Sequence, residues 1–190
     1  MMRLLSAVTL IVFSLLSMAA FSEENTANPV VVMQTTKGDI TIELYPDKSP
    51  VTVNNFLGYV KSGFYDGTIF HRVIRRFAVQ GGGFTPDLIE KPNGDSIVNE
   101  SKSSRLINDR WTVAMARTDD PNSARSQFFI NMRMNLNLDA RAGRDGYAVF
   151  GKVIDGHNIV RDIAISKTHT AGGMQDVPVE SIVIIATTIK

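Results

Sequence analysis

The sequence contains no cysteine among its 190 residues. That absence excludes a disulfide framework, a thiolate nucleophile, a zinc ribbon and an iron–sulfur cluster together. An excess of one charge is also missing: 20 Lys and Arg stand against 19 Asp and Glu. Such a balance gives no basic field for wrapping a polyanion, so nucleic acid is excluded as the expected partner. His71, His157 and His169 are scattered without metal-ligand spacing, and each reads as structural. No serine lies in a Gly-x-Ser-x-Gly elbow. The chain therefore shows no obvious nucleophile, acid/base pair or metal site, and no cofactor is expected. What is present is the composition of one ordinary globular domain, 44% hydrophobic and 21% charged. A domain of this size can bury about 70% of its unfolded surface in a packed core.

The N-terminus differs from the rest. Arg3 precedes an apolar stretch from Leu4 to Phe21 interrupted only by Ser6, Thr9, Ser14 and Ser17, with small residues at Ala19, Ala20 and Ser22. This pattern predicts a signal peptide over residues 1–22, removed to leave a chain that begins at Glu23. The run is slightly short for a membrane span of about 20 residues, so no stable membrane insertion is expected after cleavage. Residues 23–28 are polar and aperiodic and read as a disordered leader, and the domain occupies 29–190.

Within the domain, residues 30–35 and 39–44 alternate as a β-hairpin around Lys37-Gly38. Ser49-Pro50 offers a cap and a first-turn proline, and Val53, Phe56, Leu57 and Val60 recur at helical spacing until Gly63. Short apolar runs at 68–73, 77–80, 97–99, 112–117, 127–131 and 147–153 read as strands, with a second amphipathic helix at 157–165 and a last strand at 181–187. Seven or eight short strands with two helices predict a mainly β fold, a closed antiparallel barrel with a helix at each end.

The densest stretch is Phe70-His71-Arg72-Val73-Ile74-Arg75-Arg76-Phe77-Ala78-Val79-Gln80-Gly81-Gly82-Gly83-Phe84-Thr85. Its glycines do not make a phosphate loop, because no Lys-Ser/Thr pair follows and no strand-to-helix context surrounds them. They read as a barrel corner where a side chain would collide with a neighbouring strand. On pattern alone, Arg72 reads equally well as a surface arginine alternating with core residues.

This block, with Met115-Ala116-Arg117, Ser126-Gln127-Phe128-Phe129-Ile130, the 147–153 run and Val177-Pro178-Val179, resembles the cyclophilin family of peptidyl-prolyl cis/trans isomerases over essentially the whole domain. Tyr147, where many eukaryotic members have His, and Ala116-Arg117-Thr118, where they have Ala-Asn-Ala, resemble the exported bacterial branch. The resemblance implies an eight-stranded antiparallel barrel capped by two helices, periplasmic localisation, a monomer, and X-Pro-containing unfolded or partly folded polypeptides as partners. It implies Arg72 and Gln80 as catalytic residues. Phe77, Ala78, Ala116, Arg117, Gln127, Phe129, Asn137, Leu138 and Tyr147 are implied as substrate-binding residues, while Phe128 is expected to serve the core from the opposite strand face. Four positions depart from the family pattern: Arg75-Arg76 replaces Pro-Gly, Ala78 replaces Met, Asn137 replaces Trp or Phe, and Trp111 replaces Gly. The rival reading is a chaperone or scaffold that holds proline segments with little turnover.

The implied reaction accounts for the missing nucleophile. Rotation about an X-Pro amide breaks no bond; it must cross a barrier of about 18–20 kcal/mol set by amide resonance. A permanently protonated guanidinium can donate to the prolyl nitrogen as its lone pair returns in the twisted state.

Overall fold

In the computed structural model the described residues are 27–190. The predicted signal peptide and the first four leader residues lie outside them. Of the leader, Ala27 and Asn28 are described without regular structure, and Asn28 Nδ2 donates to Glu43 Oε1 at 3.3 Å.

The strands are β1 (Val30–Thr35), β2 (Gly38–Leu44), β3 (Arg72–Ile74), β4 (Ala78–Gly81), β5 (Thr112–Met115), β6 (Phe128–Asn131), β7 (Val149–Asp155), β8 (Thr168–Ala171), β9 (Met174–Pro178) and β10 (Ile184–Ile189). The helices are α1 (Pro50–Lys61), the single turn α2 (Ser101–Ser104) and α3 (His157–Ala164). Eight strands form one antiparallel sheet in the order β10-β1-β2-β7-β5-β6-β4-β3, and β8 pairs with β9 alone. The expected eight-stranded antiparallel architecture is therefore found. Closure differs from a continuous ladder, since the segment before β3 is joined to the start of β10 and the residues just before it. Gly67 N donates to Ile184 O at 2.8 Å, Ile184 N to Thr68 O at 2.7 Å and Phe70 N to Ile182 O at 3.0 Å.

The sheet's inner face carries the core. Val31, Met33, Ile40, Ile42, Leu44, Val79, Phe128, Ile130 and Phe150 are all buried there, with Val53, Phe56 and Val60 of α1 and Val160, Ile163 and Ala164 of α3. Phe56 anchors an aromatic cluster, with ring centroids 5.2 Å from Tyr65, 5.7 Å from Phe128 and 5.0 Å from Phe150. Such pairs add to the area term of burial.

Two local expectations are corrected, and one hairpin was not foreseen. Ser49 occupies the N-cap position of α1, but its hydroxyl does not cap the helix and donates instead to Val149 O at 2.7 Å. The buried Glu100 carboxylate accepts from Val51 N at 3.1 Å and from Thr52 N at 2.8 Å, which also sets a negative charge at the helix N-terminus. Residues 97–99 make a single bridge, Ile97 to Ala124, rather than a strand. Asn99 there bonds Asn122, Pro121 and Gly146, and such side-chain bonds compete with a ladder. The β8–β9 hairpin escaped prediction because Thr168–Ala171 is mostly exposed and lacks apolar alternation.

Two departures from the family pattern fall at left-handed backbone. Phe77 N donates to Ile74 O at 2.9 Å, closing a turn with Arg75 and Arg76 at its centre, and Arg76 has φ +65°. Positive φ at the third residue of such a turn favours glycine, and proline favours the second, which is why Pro-Gly suits this turn. Trp111 has φ +72°, but its indole lies 5.0 Å from the His157 ring, with the Arg110 and Arg161 guanidiniums 4.6 and 5.4 Å from its centroid. Arg76 is exposed and makes no comparable contact. Left-handed backbone costs about 1–2 kcal/mol for a non-glycine residue, against about 0.5–1 kcal/mol of extra glycine entropy. Arg76→Gly should therefore stabilise the protein by roughly 0.5–1 kcal/mol, whereas Trp111→Gly should destabilise it. Urea midpoints of the two variants check this, and a loss of stability in Arg76→Gly would contradict the turn argument.

Candidate active site

The side chains that form the site come from one row of register partners. Arg72 of β3 pairs with Gln80 of β4, Gln80 with Phe129 of β6, Phe129 with Ala114 of β5, and Ala114 with Val149 of β7. Alternation along each strand points this row away from the main core. Val73, Val79, Phe128, Ile130, Val113 and Met115 face inward, while Ala78, Ala114, Phe129 and Val149 form a second apolar cluster on the outer face. Leu106, Phe77, Ala116, Leu138 and Tyr147 pack against that cluster.

Over this floor lies a cavity of about 140 Å³. Its lining consists of Arg72, Phe77, Ala78, Gln80, Ala116, Arg117, Phe129, Leu138 and Tyr147. Nine of the expected site residues are thus brought together. The other two stand apart from it: Gln127 lines an adjoining cavity of about 340 Å³, and Asn137 is exposed beside Leu138 without lining the pocket. At 140 Å³ the pocket is smaller than the roughly 300–1,000 Å³ of drug-sized ligand sites and suits a single small ring. Sequence reasoning missed Ala114, Val149 and Leu106 as its floor, although Ala114 shares its strand face with Ala116.

The two guanidiniums that line the pocket are held differently. Arg117 donates from Nε to Gly146 O at 3.3 Å, from Nη2 to Asp145 O at 3.1 Å and from Nη1 to Thr118 O at 2.8 Å. It also lies 4.6 Å over the Tyr147 ring, and Tyr147 meets Phe129 edge-on at 5.6 Å. Arg117 is therefore a wall. Arg72 is exposed and makes one long contact, from Nη1 to Gln80 Oε1 at 3.4 Å. Gln80 Nε2 in turn donates to Gln127 Oε1 at 3.0 Å, so a chain of amides orients one edge of the Arg72 guanidinium and leaves the remainder able to donate to a ligand.

The glycine run serves this chain. A Cβ on Gly83 would lie 2.5 Å from Gln127 Cγ, and one on Gly81 2.9 Å from Phe70 Cδ1. These are close approaches that only glycine permits, as expected of a barrel corner. Among the described residues no three of His, Cys, Asp or Glu come together as a metal-ligand set. Chemically, the pocket offers an apolar floor, three aromatic rings and one guanidinium that is not fully engaged.

His71, directly before Arg72, is buried, with its ring 4.7 Å from Phe84 and its Nδ1 without a partner. Burial lowers its pKa from 6.5 to about 4, the neighbouring Arg72 charge adds to this, and the Ile69 backbone opposes it. The unfolded chain takes up this proton near pH 6.5, and the folded protein resists it down to about 4. The stabilising effect of a neutral His71 is thus complete above pH 6.5 and lost as pH falls toward 4, amounting to roughly 3 kcal/mol. His71→Asn should show a smaller fall in denaturant midpoint between pH 7.5 and 4.5 than the wild type. An equal fall in both would show that the imidazole is not held neutral.

Comparison with known proteins follows the same lines. Residues 30–189 match the family described as cyclophilin type peptidyl-prolyl cis-trans isomerase/CLD. The chain is 51% identical over 164 residues to a peptidyl-prolyl cis-trans isomerase of Acinetobacter baylyi, covering 86% of this chain and 87% of that one. It is 45% identical over 184 residues to peptidyl-prolyl cis-trans isomerase A of Dickeya dadantii, covering 96% and 94%. The crystal structure of a cyclophilin type peptidyl-prolyl cis-trans isomerase of Cryptosporidium parvum matches with a TM-score of 0.74 at 29% identity, covering 86% of this chain and 98% of that one.

Proposed function

The chain belongs to the cyclophilin-type peptidyl-prolyl cis/trans isomerase family, and from that premise we propose that it is an exported, monomeric isomerase whose Arg72 stabilises the twisted X-Pro amide. Its activity is peptidyl-prolyl isomerisation and its substrates are proline-containing polypeptides. The prolyl ring rests on Phe129, Phe77 and Leu138. Gln80 fixes the Arg72 guanidinium so that a free N–H donates to the prolyl nitrogen as resonance is lost. The donor is aimed at a lone pair that exists only in the twisted state, so the interaction favours the transition state over either planar isomer. Shortening a time of tens of seconds to milliseconds takes about 10⁴-fold, or roughly 5.5 kcal/mol. One charged donor with orientation from the pocket is sufficient in scale.

A single observation carries this reading: of the two guanidiniums lining the pocket, Arg117 is committed to four backbone carbonyls and Arg72 to one 3.4 Å side-chain contact. Arg72→Ala should lower kcat/KM on a short X-Pro peptide by at least about 100-fold with unchanged circular dichroism. Arg117→Ala should cost less. Equal turnover by Arg72→Ala and wild type would overturn the mechanism.

Export rests on the N-terminal pattern of a charged residue, an apolar run and a small-residue site. It makes newly translocated polypeptides the substrates in the periplasm. No helix among the described residues is long and apolar enough to cross a membrane. Protein recovered from the native host should begin near Glu23 by intact mass. Retention of Met1 would count against export by cleavage.

A further inference from the structure

Beneath the prolyl pocket lie three buried asparagines, Asn108, Asn131 and Asn135, exposed by 0%, 0% and 1%. Burying an amide without partners is costly, and each of these is bonded on both sides. Asn135 Nδ2 donates to Phe77 O at 3.0 Å and to Asn131 Oδ1 at 2.8 Å. Asn131 Nδ2 donates to Asn108 Oδ1 at 3.1 Å and to Thr112 Oγ1 at 3.0 Å. Asn108 Nδ2 donates to Leu138 O and Tyr147 O, both at 3.3 Å, and to Asp139 Oδ1 at 3.0 Å. The three amides therefore form one continuous chain. It begins on the carbonyl of Phe77 and ends on the carbonyls of Leu138 and Tyr147, all of which line the prolyl pocket.

Phe77 lies in the β3–β4 turn, and Leu138 and Tyr147 lie in the long connection between β6 and β7. No ladder of the sheet fixes the first against the other two. Asn131 sits on β6 two residues beyond Phe129, on the same strand face, and pairs in register with Ala78. The chain is thus referenced to the pocket floor as well as to its walls.

We propose that Asn108, Asn131 and Asn135 are positioning residues for the isomerase, holding the facing walls at the separation a prolyl ring requires. The inference rests on the isomerase reading of this pocket. Apolar walls carried by irregular backbone would otherwise drift, and misplacement of about 1 Å can cost 100-fold in rate. Buried amides suit the task because hydrogen bonds fix direction and length, whereas apolar contact alone does not.

The test measures kcat/KM on a short X-Pro peptide for folded wild type, Asn108→Ala, Asn108→Asp and a core control, Val160→Ala. At pH 7.5, Asn108→Ala should lose about 10- to 100-fold, while Val160→Ala, destabilised in the main core and not among the pocket's lining, should keep wild-type kcat/KM. Asn108→Asp is isosteric and keeps the proposal testable should Asn108→Ala fail to fold. The Asp139 carboxylate faces that position and Arg133 contacts the chain only at Asn135, so burial and like charge raise the introduced carboxyl's pKa. Its protonation restores a donor. Activity per folded molecule of Asn108→Asp should rise relative to wild type between pH 8 and 5. Wild type active with both Asn108 variants within twofold of it, or a flat pH profile for Asn108→Asp, overturns the positioning role. An inactive wild type would instead overturn the isomerase reading itself.

Discussion

The register of the β3–β4–β6–β5 ladder is the constraint on which the rest of the structure depends. Side chains alternate with a period of two, so a slip of one residue exchanges core and pocket faces along a whole strand. On β6, Phe128 would leave the aromatic cluster it shares with Phe56, Tyr65 and Phe70, and Phe129 would leave the pocket. Hydrophobicity alone does not forbid that slip, because both faces of β6 are buried. Shape does. A Cβ on Gly82 would lie 2.8 Å from Phe128 Cε1 and from Tyr65 Cε1, so the glycine run admits Phe128 at one register. Residues that read as a barrel corner thus lock the pocket to the core.

With that row fixed, electrostatics separates two residues of the same type. Arg117 and Arg72 carry equal charge and line the same cavity, yet one guanidinium is saturated by carbonyls and stacked on Tyr147 while the other retains donors. Donor capacity, not charge, distinguishes the wall from the proposed catalyst. His71 reinforces this, since an imidazole neutral down to about pH 4 places no second positive charge directly behind Arg72. The other guanidinium lining the cavity, Arg117, is already held by backbone carbonyls.

How much of this could be read from sequence follows from the range of the interactions involved. The β1–β2 hairpin and α1 were legible, because period-two and helical spacing are local signals. The cap of α1 was not: its carboxylate, Glu100, lies 48 and 49 positions from the amides it serves. The β8–β9 hairpin was not, because the exposed β8 carries no apolar alternation. For the site, residue patterns alone left Arg72 undecided between surface and function, and the family resemblance supplied the role. It named the nine residues that line one cavity. Asn137 shows its limit, since adjacency to Leu138 in sequence leaves the side chain exposed and outside the cavity.

The family departures at Arg75, Arg76 and Trp111 follow from what the reaction asks of the fold. Rotation of an amide needs no nucleophile and no proton transfer, only one donor and a ring-shaped apolar space. The demands of catalysis therefore fall on the register row and on the backbone of the walls above it. The β3–β4 turn tip projects beyond that row, and Arg76 can carry left-handed backbone at modest cost without moving Arg72, four residues away. Trp111 lies closer to the framework: its N–H donates to Asn131 O at 2.8 Å and its carbonyl accepts from Val153 N at 2.9 Å. Positive φ at that junction persists because the indole's contacts with His157, Arg110 and Arg161 offset the backbone strain. Substitution at either site thus leaves the geometry of the row intact, and a fold whose proposed catalysis asks for one oriented donor and a ring-shaped pocket tolerates strain wherever both are unaffected.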